Sequence, residues 1–182
     1  MKYCSNCGGE VDLKTPEGDN RDRYCCPDCS SIHYQNPKLV VGTLPVEENK
    51  ILLCRRGINP RYGLWTLPAG FLENGETIVE GAFRETLEET STEVEIQSLY
   101  TIFDIPHISQ IYLIYLARLK NHDFGPTAES LEVQLFDESE IPWNELAFPF
   151  VERALVYYFK DQKNSTFTLK NETIEVPYKP KS

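Results

Sequence analysis

The sequence has no apolar run approaching the roughly 18 residues that a membrane-spanning helix needs. Its first residues, MKYCSNCG, lack both the apolar core of a secretory signal and the basic, serine-rich character of a transit peptide. The cytoplasm is the expected location. Basic residues are scarce: 18 Lys and Arg stand against 28 Asp and Glu, giving a net charge of −10 and a pI near 4.8. Without a basic stripe the chain is a poor candidate for nucleic-acid backbones, although an acidic protein still binds phosphates through metal ions. Histidines number three, and His107, alone in the turn Ile105-Pro-His-Ile-Ser, is weak evidence for proton transfer. What is present is a globular composition, 41% apolar and 25% charged. Its 182 residues have room for one ordinary domain and a small module.

The stretch from Gly70 to Thr92, GFLENGETIVEGAFRETLEETST, organises the rest. A glycine turn precedes an acidic segment whose pattern predicts a helix over roughly residues 77–89, turning about 100° per residue. Ile78, Val79, Ala82, Phe83, Thr86 and Leu87 fall in one arc, expected to face a core, and Glu85, Glu88 and Glu89 in another. Eight glutamates lie between Glu73 and Glu95, with Arg84 the one basic residue among them, so surface pairing cannot balance the charge. A solvated acidic face is the bland alternative. Converging carboxylates instead call for a hard divalent ion, Mg²⁺ or Mn²⁺, which takes oxygen ligands and bridges them to substrate phosphates. Gly81, one turn before Glu85, costs about 1 kcal/mol relative to Ala and implies either a close approach of backbone or ligand, or tight packing.

Four of the six cysteines form two knuckles, Cys4-Ser-Asn-Cys7 and Cys26-Pro-Asp-Cys29, the spacing of a structural zinc site. The segment around them has too few large apolar residues to fold alone, and four thiolates on Zn²⁺ would supply the missing stability. Cys25 is an alternative ligand to Cys26, and His33 is expected to sit at the surface or in packing. Residues 10–24 read as an exposed loop, and residues 30–38, with their Asn-Pro pair, as the linker out of the module. Cys54 reads as a buried strand residue.

Short apolar runs at 39–44 and 50–55, separated by Pro45-Val-Glu-Glu-Asn, suggest a hairpin in a sheet covered on both faces. Arg55 and Arg56 end the second run, free either to pair with a phosphate or to solvate an edge. Tyr62 and Trp65 follow and could stack on a base or flavin, with core packing the alternative for Trp65. Further strands are expected at 93–103, 110–119 and up to Phe136, and a helix at 149–159 with Phe150, Ala154, Leu155 and Tyr158 inward. Alternation in residues 165–176 suggests a last hairpin.

Gly70, Glu76, Arg84, Glu85, Glu88 and Glu89 stand in register with the box G-x5-E-x7-R-E-U-x-E-E-x-G-U, and the chain therefore resembles the Nudix hydrolases. Thr86 and Thr92 occupy aliphatic positions of the box and Ser91 its final glycine. The resemblance implies an α/β fold, a Nudix α/β/α sandwich with a mixed sheet over residues 37–160, after a zinc ribbon at 1–36 and before a tail at 161–182. It implies divalent-metal-dependent hydrolysis of a nucleoside diphosphate derivative, with Glu85, Glu88 and Glu89 as metal ligands and the Ala69 carbonyl completing the shell. Arg84 and Glu76 would pair to hold the loop, with phosphate contact the other role for Arg84. Beyond the box Glu132, and after it Glu129, are the candidates for general base or extra ligand; Arg55, Tyr62 and Trp65 are candidate substrate contacts. The ribbon and the stretches Phe103-Asp-Ile-Pro106 and Ala128-Glu-Ser-Leu-Glu132 are similar to plant chloroplast pyrophosphatases, which points to ADP-ribose or FAD as substrate and AMP as a product. NADH pyrophosphatases carry an SQPWPFPxS stretch where this chain reads Ser109-Gln-Ile-Tyr-Leu-Ile114, which makes NADH and NAD-capped RNA the alternatives. A nucleotide-sensing module without turnover and a homodimer are further expectations to test.

Overall fold

The computed structural model describes residues 1–175. The chain divides into two compact units, Met1–Pro37 and the residues from Lys38 on. In the first, β1 (Asp12–Lys14), β2 (Arg23–Cys25) and β3 (Ile32–His33) form an antiparallel sheet in that order. The expected exposed loop at 10–24 is thus largely a hairpin. Its turn is held by Thr15 Oγ1 donating to Asp22 Oδ1 at 2.6 Å and by the Arg23–Asp19 ion pair at 2.9 Å.

The second unit is an eight-stranded mixed sheet with one helix on each face. Its strands are β4 (Lys38–Glu47), β5 (Lys50–Arg56), β6 (Trp65–Thr66), β7 (Ala69–Phe71), β8 (Val94–Ile105), β9 (Gln110–Leu119), β10 (Ser130–Phe136) and β11 (Lys170–Thr173). The order is β10-β5-β4-β9-β8-β11, with β6 on β5 and β7 on β4. The β4–β9 and β11–β8 pairs are parallel and the rest antiparallel. Helix α1 (Ile78–Thr90) packs on β4 and β7, above a small cluster of Leu52, Val94, Ala117 and Leu119 joined by Phe83. Helix α2 (Pro149–Asn164) closes the other face, where Phe150, Val151, Leu155 and Phe159 meet Leu44, Leu53, Phe103 and Ile114 in the main core. Among the described residues no helix is long and apolar enough to cross a membrane.

Pro45, expected in a loop, lies inside β4. Backbone N–H groups alternate between the two edges of a strand, and Thr43 N–H points to Pro68 O at 3.1 Å, so position 45 shares that edge. Proline has no N–H to give there, and β4 pairs with β5 only through Val46–Ile51 and Glu47–Lys50. The strands part beyond that point, and β6 and β7 enter the opening. The Gly70 turn is thereby set beneath α1.

Helix α1 begins with a complete capping box, Thr77 with Glu80. Its buried residues are Gly81, Ala82, Glu85, Thr86, Glu89 and Thr90, whereas Val79 and Leu87, expected inward, are 44% and 39% exposed. Apart from Glu85 and Glu89, the hidden stripe is made of small residues, because the helix lies too close to β4 and β7 for large apolar ones. A Cβ on Gly81 would come within 2.9 Å of Val41 Cγ2 and Leu72 Cδ1, so packing explains that glycine. The box's departures are absorbed by hydrogen bonds: Thr86 Oγ1 meets Thr43 Oγ1 at 2.7 Å, and Thr92 Oγ1 donates to Asn121 Oδ1 at 2.7 Å.

The tail does not form the expected hairpin in its described part. Lys170–Thr173 is a single strand parallel to β8, anchored by Lys170 Nζ on the buried Asp161 at 2.6 Å. Parallel pairing brings the chain back along the sheet after α2, so the alternation there belongs to one edge strand; residues 176–182 lie outside the described residues.

Ser91 caps α1 in the left-handed conformation, φ 60°, with its N–H on Leu87 O. A side chain there is disfavoured by about 1–2 kcal/mol, partly offset by the extra unfolded-state entropy of glycine. Ser91→Gly is expected to raise the unfolding free energy by about 0.5–1 kcal/mol in urea denaturation; a lower midpoint than the parent would contradict this account of the cap.

Candidate active site

Ala69 sits between two hydrogen-bonded positions of the β4–β7 pair, since Thr43 bonds Pro68 and Leu72 bonds Leu39. Its own backbone groups therefore face away from β4. The N–H does so observably, donating to Glu89 Oε2 at 3.0 Å, and the carbonyl leaves along the same edge. Glu85 lies over the next residue, and a Cβ on Gly70 would collide with its carboxylate. Glycine is required at that position for contact rather than for backbone freedom.

Glu85 and Glu89 are thus brought together, one turn apart on the buried face of α1, both turned toward β7. Burial pushes the Glu89 carboxyl up to about 7; the Ala69 N–H opposes the rise and the charge of Glu85 adds to it. Glu85 is also raised, by burial first, with Arg84 opposing and Glu88 and Glu129 adding. Glu88 is more than half exposed and is drawn aside by Arg84 Nη1 at 3.0 Å. The three carboxylates do not close into a cage. Among the described residues, the only group of three or more His, Cys, Asp or Glu ligand atoms within 4.8 Å of one another is a set of cysteines.

Arg84 explains the spread. Nε and Nη2 grip Glu76 at 3.0 and 2.8 Å, Nη2 also donates to Phe71 O at 3.1 Å, and Nη1 holds Glu85 at 2.7 Å and Glu88 at 3.0 Å. This fork keeps the Glu76 carboxyl down at about 2. All five guanidinium donors are engaged, which ties the loop after Gly70 to the helix and leaves none for a phosphate.

The remaining candidates separate by face. Alternation along β5 puts Cys54 toward α1 and Arg55 away, while Arg56 at the strand's end donates from Nε to Pro60 O at 2.9 Å and lies over the Phe148 ring. Arg55 donates from Nε to Gly63 O at 2.8 Å and pairs with Glu132 at 3.6 Å on the solvent side, so Glu132 is not brought to the helix carboxylates. Glu129 is closer in effect, since its charge raises Glu85. Its backbone carbonyl accepts from Gly57 N–H at 2.7 Å, which fixes the segment entering β10. Trp65 is 6% exposed and packs edge-on against Phe136 with centroids 4.9 Å apart, so it belongs to the core. Tyr62 is 59% exposed in the loop beside Arg55.

Two residues take a part that the sequence reading did not give them. Arg56, left open between a phosphate contact and an edge charge, is the cation whose charge lowers Glu89, Cys54 and Tyr112. Cys54 is fully buried with Sγ 3.6 Å from Glu89 Oε2, and burial holds its thiol well above the usual range. Nothing in the sequence marked that contact.

The cysteine set is Cys4, Cys7, Cys26 and Cys29. Cys4 and Cys29 sulfurs stand 3.6 Å apart and Cys7 and Cys26 3.4 Å. A tetrahedral ZnS₄ centre has an edge of about 3.8 Å, so the donors fit such an ion and are far beyond disulfide length. Cys25 turns away, toward the carbonyls of Lys14 and Arg23. His33 Nε2 lies 3.2 Å from Cys4 Sγ, placed to donate to a ligand sulfur.

Comparison with known proteins agrees with this geometry. A family model described as NUDIX domain matches residues 36–173, and one described as Nudix N-terminal, of the zinc-ribbon class, matches residues 2–35. A crystal structure of a NUDIX hydrolase from Nitrosomonas europaea is 53% identical, covering 96% of this chain and 100% of that one, with a TM-score of 0.90. An ADP-ribose pyrophosphatase of Methanocaldococcus jannaschii is 31% identical over 63% of this chain and 69% of its own length. An NAD-capped RNA hydrolase NudC of Vibrio atlanticus is 31% identical over 78% of this chain, but the match spans only 51% of that protein. With the domain model covering most of its length, the chain belongs to the NUDIX family of hydrolases.

Proposed function

We propose that the chain hydrolyses the pyrophosphate bond of a nucleoside diphosphate derivative, with ADP-ribose the preferred substrate, FAD the second, and AMP a product. One observation carries the reading: Glu85 and Glu89 are buried together over the Ala69–Gly70 edge, and Glu89 has no ion-pair partner among the described residues. Two desolvated carboxylates facing one backbone edge are a poor arrangement for a protein alone and a good one for a hard divalent cation. Glu85, Glu89 and the Ala69 carbonyl would hold Mg²⁺ or Mn²⁺, with Glu88 reached once it leaves Arg84. Such an ion neutralises diphosphate oxygens and lowers the pKa of bound water. The chain's own residues then have separate tasks. Ala69 N–H fixes the Glu89 carboxylate, Arg84 and Glu76 brace the loop, and Glu129 accepts the proton of the attacking water. Arg55 with Tyr62 contacts the far end of the substrate, and Glu132 orients Arg55 through their ion pair. Zn²⁺ on the four cysteines is structural.

The match to a protein named ADP-ribose pyrophosphatase supports the substrate. NAD-capped RNA is the second reading, favoured by relatives named NAD-capped RNA hydrolase that match 78% of the chain. The charge of −10 weighs against it.

Turnover of ADP-ribose, FAD, NADH and NAD-capped RNA with Mg²⁺ or Mn²⁺ tests this choice. ADP-ribose is expected to have the highest kcat/KM, and Glu85→Gln and Glu89→Gln are each expected to lower kcat by about a hundredfold or more without unfolding. Preference for capped RNA would replace the substrate, and near-parental turnover by Glu85→Gln would remove the metal assignment.

The Glu89 carboxyl also links pH to stability. With its folded value near 7 and its unfolded value near 4.5, the folded state binds the proton more tightly between those limits. Stability therefore falls as pH rises from about 4.5 to about 7 and is level above, by on the order of 3 kcal/mol in full. In denaturation with divalent ions chelated only weakly enough to spare the ribbon, Glu89→Gln is expected to lack this decline, and Mg²⁺ to stabilise the parent more at pH 8 than at pH 5. Parallel pH profiles for the two proteins would contradict it.

A further inference from the structure

Beneath Glu89, on the side away from solvent, lies a set of groups with no part in the hydrolysis described above. Cys54 Sγ stands 3.6 Å from Glu89 Oε2 and 3.6 Å from Thr66 O. Ser130 Oγ is buried, the residue being 2% exposed, and has no hydrogen-bond partner. Its hydroxyl faces the Cys54 thiol across the β5–β10 pair, where Ser130 is opposite Arg56 and Val133 opposite Cys54. A buried hydroxyl without a well-formed hydrogen bond, beside a thiol that itself meets a carboxylate, requires an explanation.

The separations supply one. A tetrahedral ion with a sulfur ligand at about 2.3 Å and an oxygen ligand at about 2.0 Å sets those two atoms about 3.5 Å apart, which the Cys54–Glu89 pair already matches. We propose that Cys54 Sγ and Glu89 Oε2, with Ser130 Oγ alongside, form a second cation site selective for thiophilic divalent ions such as Zn²⁺ or Cd²⁺. The site shares Glu89 with the proposed Mg²⁺ or Mn²⁺ site and rests on the reading of that side chain as a cation ligand. Hard ions take oxygen and leave the thiol alone, whereas softer ions are drawn inward by the sulfur. On binding, the thiol gives up its proton to solvent and an S–metal bond forms; no electron changes hands. A thiophilic ion drawn onto Cys54 turns Glu89 Oε2 inward and away from the hydrolytic ion, and the enzyme is inhibited.

The test uses the full chain with its ribbon cysteines loaded, as the parent, Cys54→Ser and Cys54→Ala, each checked by circular dichroism; either variant suffices if the other does not fold. Cd²⁺ is titrated and the ultraviolet sulfur-to-cadmium charge-transfer absorption is recorded. Exchange at the ribbon is common to all three proteins, so the parent-minus-variant difference isolates Cys54. The parent is expected to gain the absorption of one additional thiolate per chain. Cd²⁺ is expected to inhibit its Mg²⁺-driven hydrolysis at a concentration at least tenfold lower than for the variants, each measured against its own uninhibited rate. Identical spectra overturn the site and leave the Mg²⁺ reading untouched. An extra thiolate band without inhibition upholds the site and instead tells against a role for Glu89 in hydrolysis.

Discussion

Burying two carboxylates on the same stripe of one helix is the constraint to which the rest of this structure answers. Glu85 and Glu89 would be solvated at little cost on the outer face of α1, yet they point at β7, where desolvation and mutual repulsion both disfavour their charged forms. The neighbouring sequence is arranged to allow it. Gly70 makes room for the Glu85 carboxylate, the Ala69 N–H is free because its position in the strand pair leaves it unbonded to β4, and Gly81 with Ala82 lets the helix approach closely. Pro45 contributes from a distance by ending the β4–β5 ladder, which admits β7 to the sheet.

Arg84 works against the same tension from outside. Its fork on Glu76 fastens the loop to the helix, and the leftover donors collect Glu85 and Glu88. That leaves Glu89 with the least compensation and the largest upward displacement of the helix carboxylates. The cysteine unit solves a similar problem by other means: four thiols gather with separations near a tetrahedral edge, and His33 stands behind one of them. In both places the polypeptide has gathered groups whose charged forms repel one another.

Much of this could be read from the residues alone. Strand β9 runs over Gln110–Leu119 as its unbroken apolar character implies, the two cysteine knuckles meet as their spacing implies, and the register of Gly70, Glu76 and Arg84 foretells the loop-to-helix tie. The orientation of α1 could be read only in part: Ala82 and Thr86 are buried as expected, but apolar periodicity also points to Val79 and Leu87, whereas the packing selects residues that fit against β4 and β7. The choice between Glu129 and Glu132 depends on an irregularity in the β10–β5 register between Ser130 and Glu132, which no local pattern announces. The partition of Arg55 from Arg56 rests on tertiary contacts, Gly63 O and Glu132 for the first and Pro60 O and Phe148 for the second. The Cys54–Glu89 contact joins residues 35 apart in sequence and exists only in the folded chain.

The most direct test of the central claim is to crystallise the enzyme with Mn²⁺ and a non-hydrolysable nucleoside diphosphate derivative and to map anomalous scattering from the metal. The account predicts a manganese peak within about 2.2 Å of oxygens from both Glu85 and Glu89 and near the Ala69 carbonyl. Manganese confined to other surface carboxylates, with Glu85 still on Arg84 and Glu89 still on the Ala69 amide, would contradict it.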